Sequence, residues 1–194
     1  MKDKTVHEEI FARGRLFELV HERQPDGRIF EVARRAPGVR LIIADKSNQM
    51  ILLTKEFRKE LNDWDYRLPG GKVFDSLEEY DVFRKSGDEL TIAARKKAIE
   101  EAHEEAGIQV IDLELYKKST LGATVEWDLF VFESSKWQLM EDGQKLEEGE
   151  VIEADTWLTY TEATQKILDG DMQEGRIALV LLQWISEQKK EMNH

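Results

Sequence analysis

The feature that most constrains this chain is a run of glutamates near the end of a predicted helix over 92–106. Within it, Glu101, Glu104 and Glu105 are related by i, i+3 and i+4, so their carboxylates crowd one face of the last turns. Each like-charge i,i+4 pair costs roughly 0.2–0.5 kcal/mol, and each anion near a helix C-terminus costs roughly 0.3–1 kcal/mol. A helix that serves only the fold gains nothing obvious from this arrangement.

Two interpretations of this acidic face are open. Carboxylate oxygens beside helix-end carbonyls suit a hard divalent cation, because Mg²⁺ takes carboxylate ligands together with waters and substrate phosphates. The same face is also compatible with a solvated surface on a chain that is acidic everywhere. A bound metal ion would neutralise the carboxylates, so metal binding would account for an arrangement that is otherwise unfavourable.

Composition excludes several classes of protein. The 194 residues carry 28 Lys and Arg against 40 Asp and Glu, a formal net charge of −12, which repels nucleic-acid polymers and anionic membrane surfaces. The absence of cysteine excludes disulfides, thiolate metal sites and cysteine nucleophiles. The length suits one domain, or one domain with an appendage.

Other features also narrow the function. The longest apolar stretch, 177–185, is interrupted by Gln183 and is far shorter than a membrane span, so we expect a soluble, cytoplasmic protein. No two of the four histidines have metal-ligand spacing, so the sequence does not indicate a zinc site. No G-x-S-x-G elbow or Walker A loop is present.

Turn signals and β-forming segments predict an α+β fold. Segments 15–22 and 28–34 flank a strong turn signal at 24–27 and predict a β-hairpin. We interpret 75–90, polar and without clear period, as a surface excursion. Further predicted strands are 39–44, 50–54, 110–117, 126–133 and 156–158; further predicted helices are 161–168 and 175–188; Thr91 is the predicted N-cap of the helix over 92–106, and Gly107 its stop.

One stretch carries a family resemblance. Gly71, followed at a distance by Glu101-Ala102-His103-Glu104-Glu105-Ala106-Gly107-Ile108, resembles the Nudix box, G-x5-E-x7-R-E-U-x-E-E-x-G-U with U apolar. The preceding Leu68-Pro69-Gly70-Gly71-Lys72-Val73 strengthens it. The resemblance implies a Nudix-type α/β/α sandwich with a mixed sheet that binds Mg²⁺ or Mn²⁺. It also implies that Glu101, Glu104 and Glu105 are metal ligands or hold the metal-bound water, with Gly70 offering its carbonyl.

The chain departs from the box in two places. Glu100 stands where the pattern has an arginine that orients the carboxylates, and Arg95 or Lys97 could supply that charge from the same helix. Between Gly71 and Glu100 lie 15 more residues than the pattern has, and no glutamate falls at the expected position in either frame.

Other segments resemble the ADP-ribose pyrophosphatase branch of the family. Residues 30–35 and 52–58 are similar to the branch's segments before the box, which implies that Arg35 and Arg58 bind substrate phosphate. Trp64, just before the glycine-rich segment 68–73, could stack on a base. Alternatively, Trp64 serves packing, and the two arginines form surface ion pairs. Relatives use an N-terminal hairpin to dimerise, so we divide the chain into a dimerising appendage, 1–36, and a Nudix domain, 37–194.

The resemblance also implies a reaction. The expected activity is hydrolysis of the diphosphate in ADP-ribose or a related nucleoside diphosphate sugar, with Glu104 catalytic. The general base is expected on the acidic connection, residues 146–150, at Glu148 or Glu150. A Nudix enzyme for a nucleoside triphosphate or another capped diphosphate is an alternative. A catalytically silent nucleotide-binding sensor is another, which Glu100 keeps open.

Overall fold

The computed structural model describes residues 6–146 and 149–192. Within these ranges the chain forms twelve strands and four helices. The strands are β1 (His7–Arg13), β2 (Phe17–Arg23), β3 (Ile29–Arg35), β4 (Gly38–Asp45), β5 (Met50–Arg58), β6 (Asp63–Arg67), β7 (Ile108–Val110), β8 (Glu114–Ser119), β9 (Val125–Glu126), β10 (Leu129–Ser134), β11 (Trp137–Leu139) and β12 (Ile152–Thr159); the helices are α1 (Leu77–Ser86), α2 (Leu90–Ala106), α3 (Tyr160–Leu168) and α4 (Gly175–Glu191).

The central sheet is mixed and lies between helices. Its order is β12-β5-β4-β10-β8, with β6 also paired to β5; β4 and β10 run parallel and the other pairs are antiparallel. Strand β4 is buried along nearly its whole length, as expected for a strand covered on both faces. Leu41 and Ile43 pack with α2, whereas Ile42 and Ala44 pack with α3 and α4. This alternation confirms the predicted α+β fold and its helix–sheet–helix layers.

A second sheet, with the order β1-β2-β3-β9, contains the predicted N-terminal hairpin. Strands β2 and β3 pair antiparallel across a turn in which Gln24 N donates to the carbonyl of Arg28 over 2.8 Å. Strand β1 was not predicted, because all seven of its residues are exposed and its sequence has no buried face. The buried Arg34 binds Glu8 and Glu126 at 3.0 and 2.6 Å, which links three strands of this sheet.

The surface excursion predicted over 75–90 contains the helix α1, which the polar sequence did not reveal. Only Leu77 of this helix is buried, so apolar periodicity gives no signal. The capping residues do give a signal for the helix. The Ser76 hydroxyl accepts a hydrogen bond from Glu79 N over 3.2 Å, and Gly87 ends the helix with φ +80°. The 15 additional residues are therefore a structured insertion.

Helix α1 is attached to the N-terminal sheet. Leu77 N donates to the carbonyl of Arg15 over 3.0 Å, and Arg13 pairs with Asp81 at 2.6 Å. The insertion thus touches β1 and the β1–β2 turn as well as the segments that flank it.

Helix α2 begins at Leu90, with Glu89 rather than the predicted Thr91 at its N-cap. Gly107 ends the helix as predicted, with φ +62° and its N–H directed to the carbonyls of Ala102 and His103. In the described part of the chain, no helix has the length and apolar character needed to cross a membrane.

Candidate active site

The glycine turn, residues 68–73, is fastened to β4 through its backbone. Val39 N donates to the carbonyl of Gly71 over 2.9 Å. At Gly70 φ is +141°, and a Cβ atom there would lie only 2.9 Å from the Cα of Arg40. Glycine is therefore required at this close approach to the sheet. The turn sits beside the last turns of α2.

The three glutamates of α2 border one cavity together with this turn. Glu101 is buried, and a Cβ added at Gly71 would lie 2.8 Å from its Cδ atom, so its carboxylate packs directly on the glycine. The Gly70 N–H donates to Glu105 Oε2 over 2.6 Å. The Glu104 side chain is 39% exposed. The helical spacing thus brings the predicted carboxylates to the turn.

Lys97 stands between the glutamates. Its Nζ atom lies 3.1 Å from Glu101 Oε1, 3.3 Å from Glu104 Oε2 and 3.9 Å from Glu100 Oε2. Burial acts to lower the pKa of Lys97, but the adjacent carboxylates outweigh it and raise the pKa above its ordinary value. Of the two cations considered from the sequence, Lys97 supplies the charge that the box pattern places at residue 100.

Two of the carboxylates are held in surroundings that oppose their ionisation. Burial raises the pKa of Glu101 although Lys97 acts against this shift. Burial, and then the charge of Glu101, raises the pKa of Glu105 to about 8, while the Gly70 N–H and Arg40 act to lower it. A cation placed between these two carboxylates would favour their ionised forms and lower both pKa values.

The donor set agrees in type with a divalent cation, because it consists of oxygen atoms. In the side-chain conformations of the described residues, no three acidic or histidine groups converge as a metal site. The Gly70 carbonyl accepts a hydrogen bond from Arg40 Nη1. A carbonyl oxygen has two lone pairs, so this contact leaves one for a metal.

The cavity has a volume of about 410 Å³ and two walls of opposite charge. The glutamates of α2 form the acidic wall. A second, basic wall carries arginines from four strands, Arg35 of β3, Arg40 of β4, Arg58 of β5 and Arg67 of β6. A cavity of this size suits a small organic ligand. Its charge distribution favours a ligand that combines anionic groups with bound cations.

We call Arg35, Arg40, Arg67 and Arg176 the arginine cluster. The guanidiniums of Arg35 and Arg176 each lie 4.2 Å from the ring centroid of Trp127, and Arg176 Nη1 donates to the Trp127 carbonyl over 2.7 Å. Burial lowers the pKa of Arg35, of Arg40 and of Arg176. The cluster therefore holds positive charge with little solvent around it.

The other predicted substrate residues differ in position. Arg58 lines the cavity, where it is paired with Glu56 at 2.9 Å and with Glu60. Trp64 lies outside the cavity lining, with Lys55 Nζ 4.5 Å from its ring centroid and Phe57 at its edge. Its stacking on a base stays a prediction.

The predicted general bases lie on the segment before β12. Glu150 lines the cavity, and its charge acts to raise the pKa of Glu105. Glu148 lies outside the described residues. The structure therefore brings Glu150, but not Trp64, to the same cavity as the glutamates.

Sequence reasoning missed Arg40, Arg67, Arg176 and Trp127. Arg40 had a usable signal, because it is the one charged residue in the otherwise apolar run Gly38-Val39-Arg40-Leu41-Ile42-Ile43-Ala44. A charge inside a buried strand requires a partner or a function. The others had no signal, since they lie far apart in sequence.

The fold and this cavity define a Nudix protein. The family model described as the NUDIX domain matches residues 34–179, about three quarters of the chain, and the chain belongs to that family. Members generally use divalent metal ions. The chain is therefore a member of the family although it departs from the Nudix box at residue 100 and over residues 75–90.

Among solved structures, the chain is similar to a crystal structure of an ADP compounds hydrolase. The TM-score is 0.65 at 20% sequence identity, over 95% of each chain. At this identity the likeness shows the fold. A search of curated proteins finds no match.

Proposed function

We propose that this protein hydrolyses the diphosphate of ADP-ribose, or of a related nucleoside diphosphate sugar, to a nucleoside monophosphate and a sugar phosphate, with Mg²⁺ or Mn²⁺. The observation that supports this most directly is the cavity itself, which is lined both by the glutamates of α2 and by four arginines. A diphosphate carrying divalent cations has the charge pattern to bridge the two walls.

In this proposal Glu101, Glu104 and Glu105, with the Gly70 carbonyl, hold the metal. When bound, the ion would neutralise charge on the phosphoryl oxygens and acidify a water. Lys97 keeps the carboxylates of Glu101 and Glu104 together through contacts of 3.1 and 3.3 Å.

The remaining roles concern the substrate and the attacking water. Arg35 and Arg58 bind phosphoryl oxygens, because a guanidinium fork matches their geometry. Glu150 lines the cavity, and it or Glu148 accepts the proton of the water. A carboxylate on a connecting segment can move toward the substrate when it binds.

We also propose that the protein is a cytoplasmic homodimer that joins through the N-terminal sheet. One face of this sheet exposes Phe11, Phe17, Leu19 and Ile29. Apolar groups concentrated on one sheet face mark an interaction surface. Leu19→Glu should convert a dimer to a monomer in light scattering; a wild-type protein that is monomeric at all concentrations would refute the dimer.

The test of the activity is direct. The protein is incubated with ADP-ribose and Mg²⁺, and AMP release is followed against a panel of nucleotide sugars, dinucleoside polyphosphates and nucleoside triphosphates. Glu105→Gln should lower turnover by about 100-fold or more, because it removes a charge that holds the metal. Glu114→Gln, an exposed glutamate of β8, is the matched control. Hydrolysis of a triphosphate in preference to ADP-ribose would reassign the substrate.

A second candidate is a silent nucleotide sensor. It is favoured by one observation, the ammonium of Lys97 lying between two carboxylates where a metal would otherwise sit. A sensor would bind ADP-ribose in calorimetry and release no AMP with Mg²⁺ or Mn²⁺.

A further inference from the structure

The last turn of α2 has backbone carbonyls that the helix itself cannot satisfy. The last four carbonyls of an α-helix lack a donor within the helix, and in α2 they belong to residues 103–106. Gly107 N donates to the carbonyl of His103 over 3.0 Å. The carbonyls of Glu104 and Glu105, whose side chains line the cavity, therefore need donors from outside the helix.

Those donors come from residues 140–145, which we call the capping segment. Lys145 N donates to the carbonyl of Glu104 over 2.9 Å. The side-chain amide of Gln144 donates through Nε2 to the carbonyl of Glu105, a residue 39 positions earlier in the chain. The two α2 glutamates nearest the helix end are thus held through their backbone by a distant part of the sequence.

A close backbone contact accompanies these hydrogen bonds. Met140 N donates to the carbonyl of Gly107 over 2.8 Å. A Cβ atom at Gly107 would lie only 2.9 Å from the carbonyl carbon of Gly143, so the helix stop and the capping segment touch. Asp142 adds a side-chain contact, with Oδ1 at 3.4 Å from His103 Nε2. The capping segment therefore holds the end of α2 through both backbone and side chains.

The capping segment also leads to another carboxylate of the cavity. Glu150 lines the cavity and follows Lys145 by five residues. Directly after Glu150, the carbonyl of Val151 accepts a hydrogen bond from Phe57 N of β5 over 3.0 Å. Glu150 consequently lies between two points that are fixed to the fold, the end of α2 and the strand β5. The first of these points depends on the capping segment.

We propose that Gln144 is a positioning residue that sets how the glutamates of α2 stand relative to Glu150. Its side chain binds the backbone of Glu105, and its own backbone belongs to the segment that leads to Glu150. The inference rests on the proposed function, in which the α2 glutamates hold a metal and a carboxylate of residues 146–150 accepts a proton from water. Displacing a reacting group by about 1 Å can lower a rate by about 100-fold, so one hydrogen bond at this place affects catalysis.

The kinetic experiment compares three substitutions at Gln144 in the full chain. Gln144→Ala removes the donor, and Gln144→Glu keeps the shape but places a carboxylate against the carbonyl of Glu105. Both should lower kcat for ADP-ribose by about tenfold and leave KM within about twofold of wild type, because the side chains that line the cavity are unchanged. Gln144→Lys retains a donor within reach of the carbonyl and should restore kcat to within about threefold of wild type.

Gln138→Ala is the matched control. Gln138 is an exposed glutamine of β11 whose amide donates to the side chain of Gln109, away from the end of α2. Its replacement should leave both kcat and KM unchanged. Melting temperatures verify that every variant is folded. A purely structural role of Gln144 would lower the melting temperature without a selective loss of kcat that lysine rescues.

Hydrogen exchange provides a measurement that needs neither metal nor turnover. The amide of Lys145 donates to α2, so it should be protected in wild type. In Gln144→Ala this amide should exchange about tenfold faster, because the capping segment has lost its neighbouring hydrogen bond. The amides of the buried strand β4 should keep their wild-type exchange rates and so report that the fold is intact.

Two results would overturn the inference: wild-type kcat in Gln144→Ala, or exchange at Lys145 that is equally fast in wild type and in Gln144→Ala. The proposed function fails separately, if wild type releases no product from any substrate of the panel. In that case the exchange rates still decide whether Gln144 joins the capping segment to α2. Hydrolysis by wild type with an unaffected Gln144→Ala variant would leave the proposed function standing and remove Gln144 from it.

Discussion

The two walls of the cavity are built in different ways. The acidic wall comes from five consecutive residues of one helix, 101–105, and its side chains meet because of helical spacing. The arginine cluster comes from β3, β4, β6 and α4, which are brought together only by the complete fold. The acidic wall has one cation, Lys97, for its three glutamates, whereas the four guanidiniums of the cluster have the carboxylates of Glu56, Asp65 and Glu174 within 4 Å. The acidic wall therefore depends on local sequence, and the cluster depends on the complete fold.

The largest effect we expect comes from a methyl group on the acidic wall. Gly71→Ala places Cβ against the Glu101 carboxylate, which must move. Backbone strain is absent at this residue, so the melting temperature should change little, while AMP release falls by about 100-fold because ligand positions shift. Full activity in the alanine variant would show that the Glu101 position does not matter.

Lys97→Met tests whether the acidic wall needs its internal cation. We expect turnover to fall by about 10- to 100-fold as Glu101 and Glu104 lose their shared partner. Adding Glu100→Arg to this variant should restore part of the loss, because it returns the cation to the box position. Glu100→Arg alone is the control. Unchanged turnover in Lys97→Met would remove Lys97 from the mechanism.

The dependence of stability on pH should distinguish the two walls, since only the acidic wall contains a group, Glu105, that ionises near neutral pH. The pKa of Glu105 is raised from 4.5 to about 8 in the folded protein, so the metal-free folded state binds more protons than the unfolded state between these values. Its contribution to stability is present at low pH and is lost as pH rises toward about 8.

The measurement is the melting temperature in EDTA of wild type and Glu105→Gln from pH 5 to pH 9. The variant should gain stability relative to wild type as pH rises, and saturating Mg²⁺ should stabilise wild type alone. A difference that is constant with pH would contradict the burial of an ionisable Glu105.

The smallest effect concerns two arginines that differ in pairing. Arg58 already has Glu56 and Glu60 as partners, whereas Arg35 has no ion pair among the described residues. Arg58→Gln should raise KM only a few-fold, with kcat nearly unchanged. This increase in KM should be smaller than the increase in Arg35→Gln, because Arg58 is already engaged in ion pairs, and exposed ion pairs contribute only about 0–1 kcal/mol. A larger KM effect for Arg58 would move the phosphate to that side of the cavity.

The sequence predicted what depends on local spacing. The hairpin, the central strands, the C-terminal helices and the glutamates of α2 follow from turn residues and periodicity, and the family match extends over residues 34–179. Strands β1, β6 and β11 and helix α1 were missed because none of them buries a continuous apolar face. The caps of α1 at Ser76 and Gly87 were the available signal.

The arginine cluster could not be predicted in the same way. Arg35, Arg67 and Arg176 lie on elements separated by long stretches of sequence, and their proximity depends on strand order. Arg40 alone was visible as a charge in an apolar strand. The carboxylates of α2, by contrast, would be neighbours in an isolated helix.

The attachment of α1 to the β1–β2 turn has a practical consequence for truncation. A shortened chain starting at residue 37 would strip the hydrogen-bond acceptor from Leu77 N and the cation from Asp81. In the sequence α1 lies between the glycine turn and α2, so removal of the N-terminal strands should also disturb the residues that line the cavity. The amino-terminal region should accordingly be kept whole when minimal active fragments are designed.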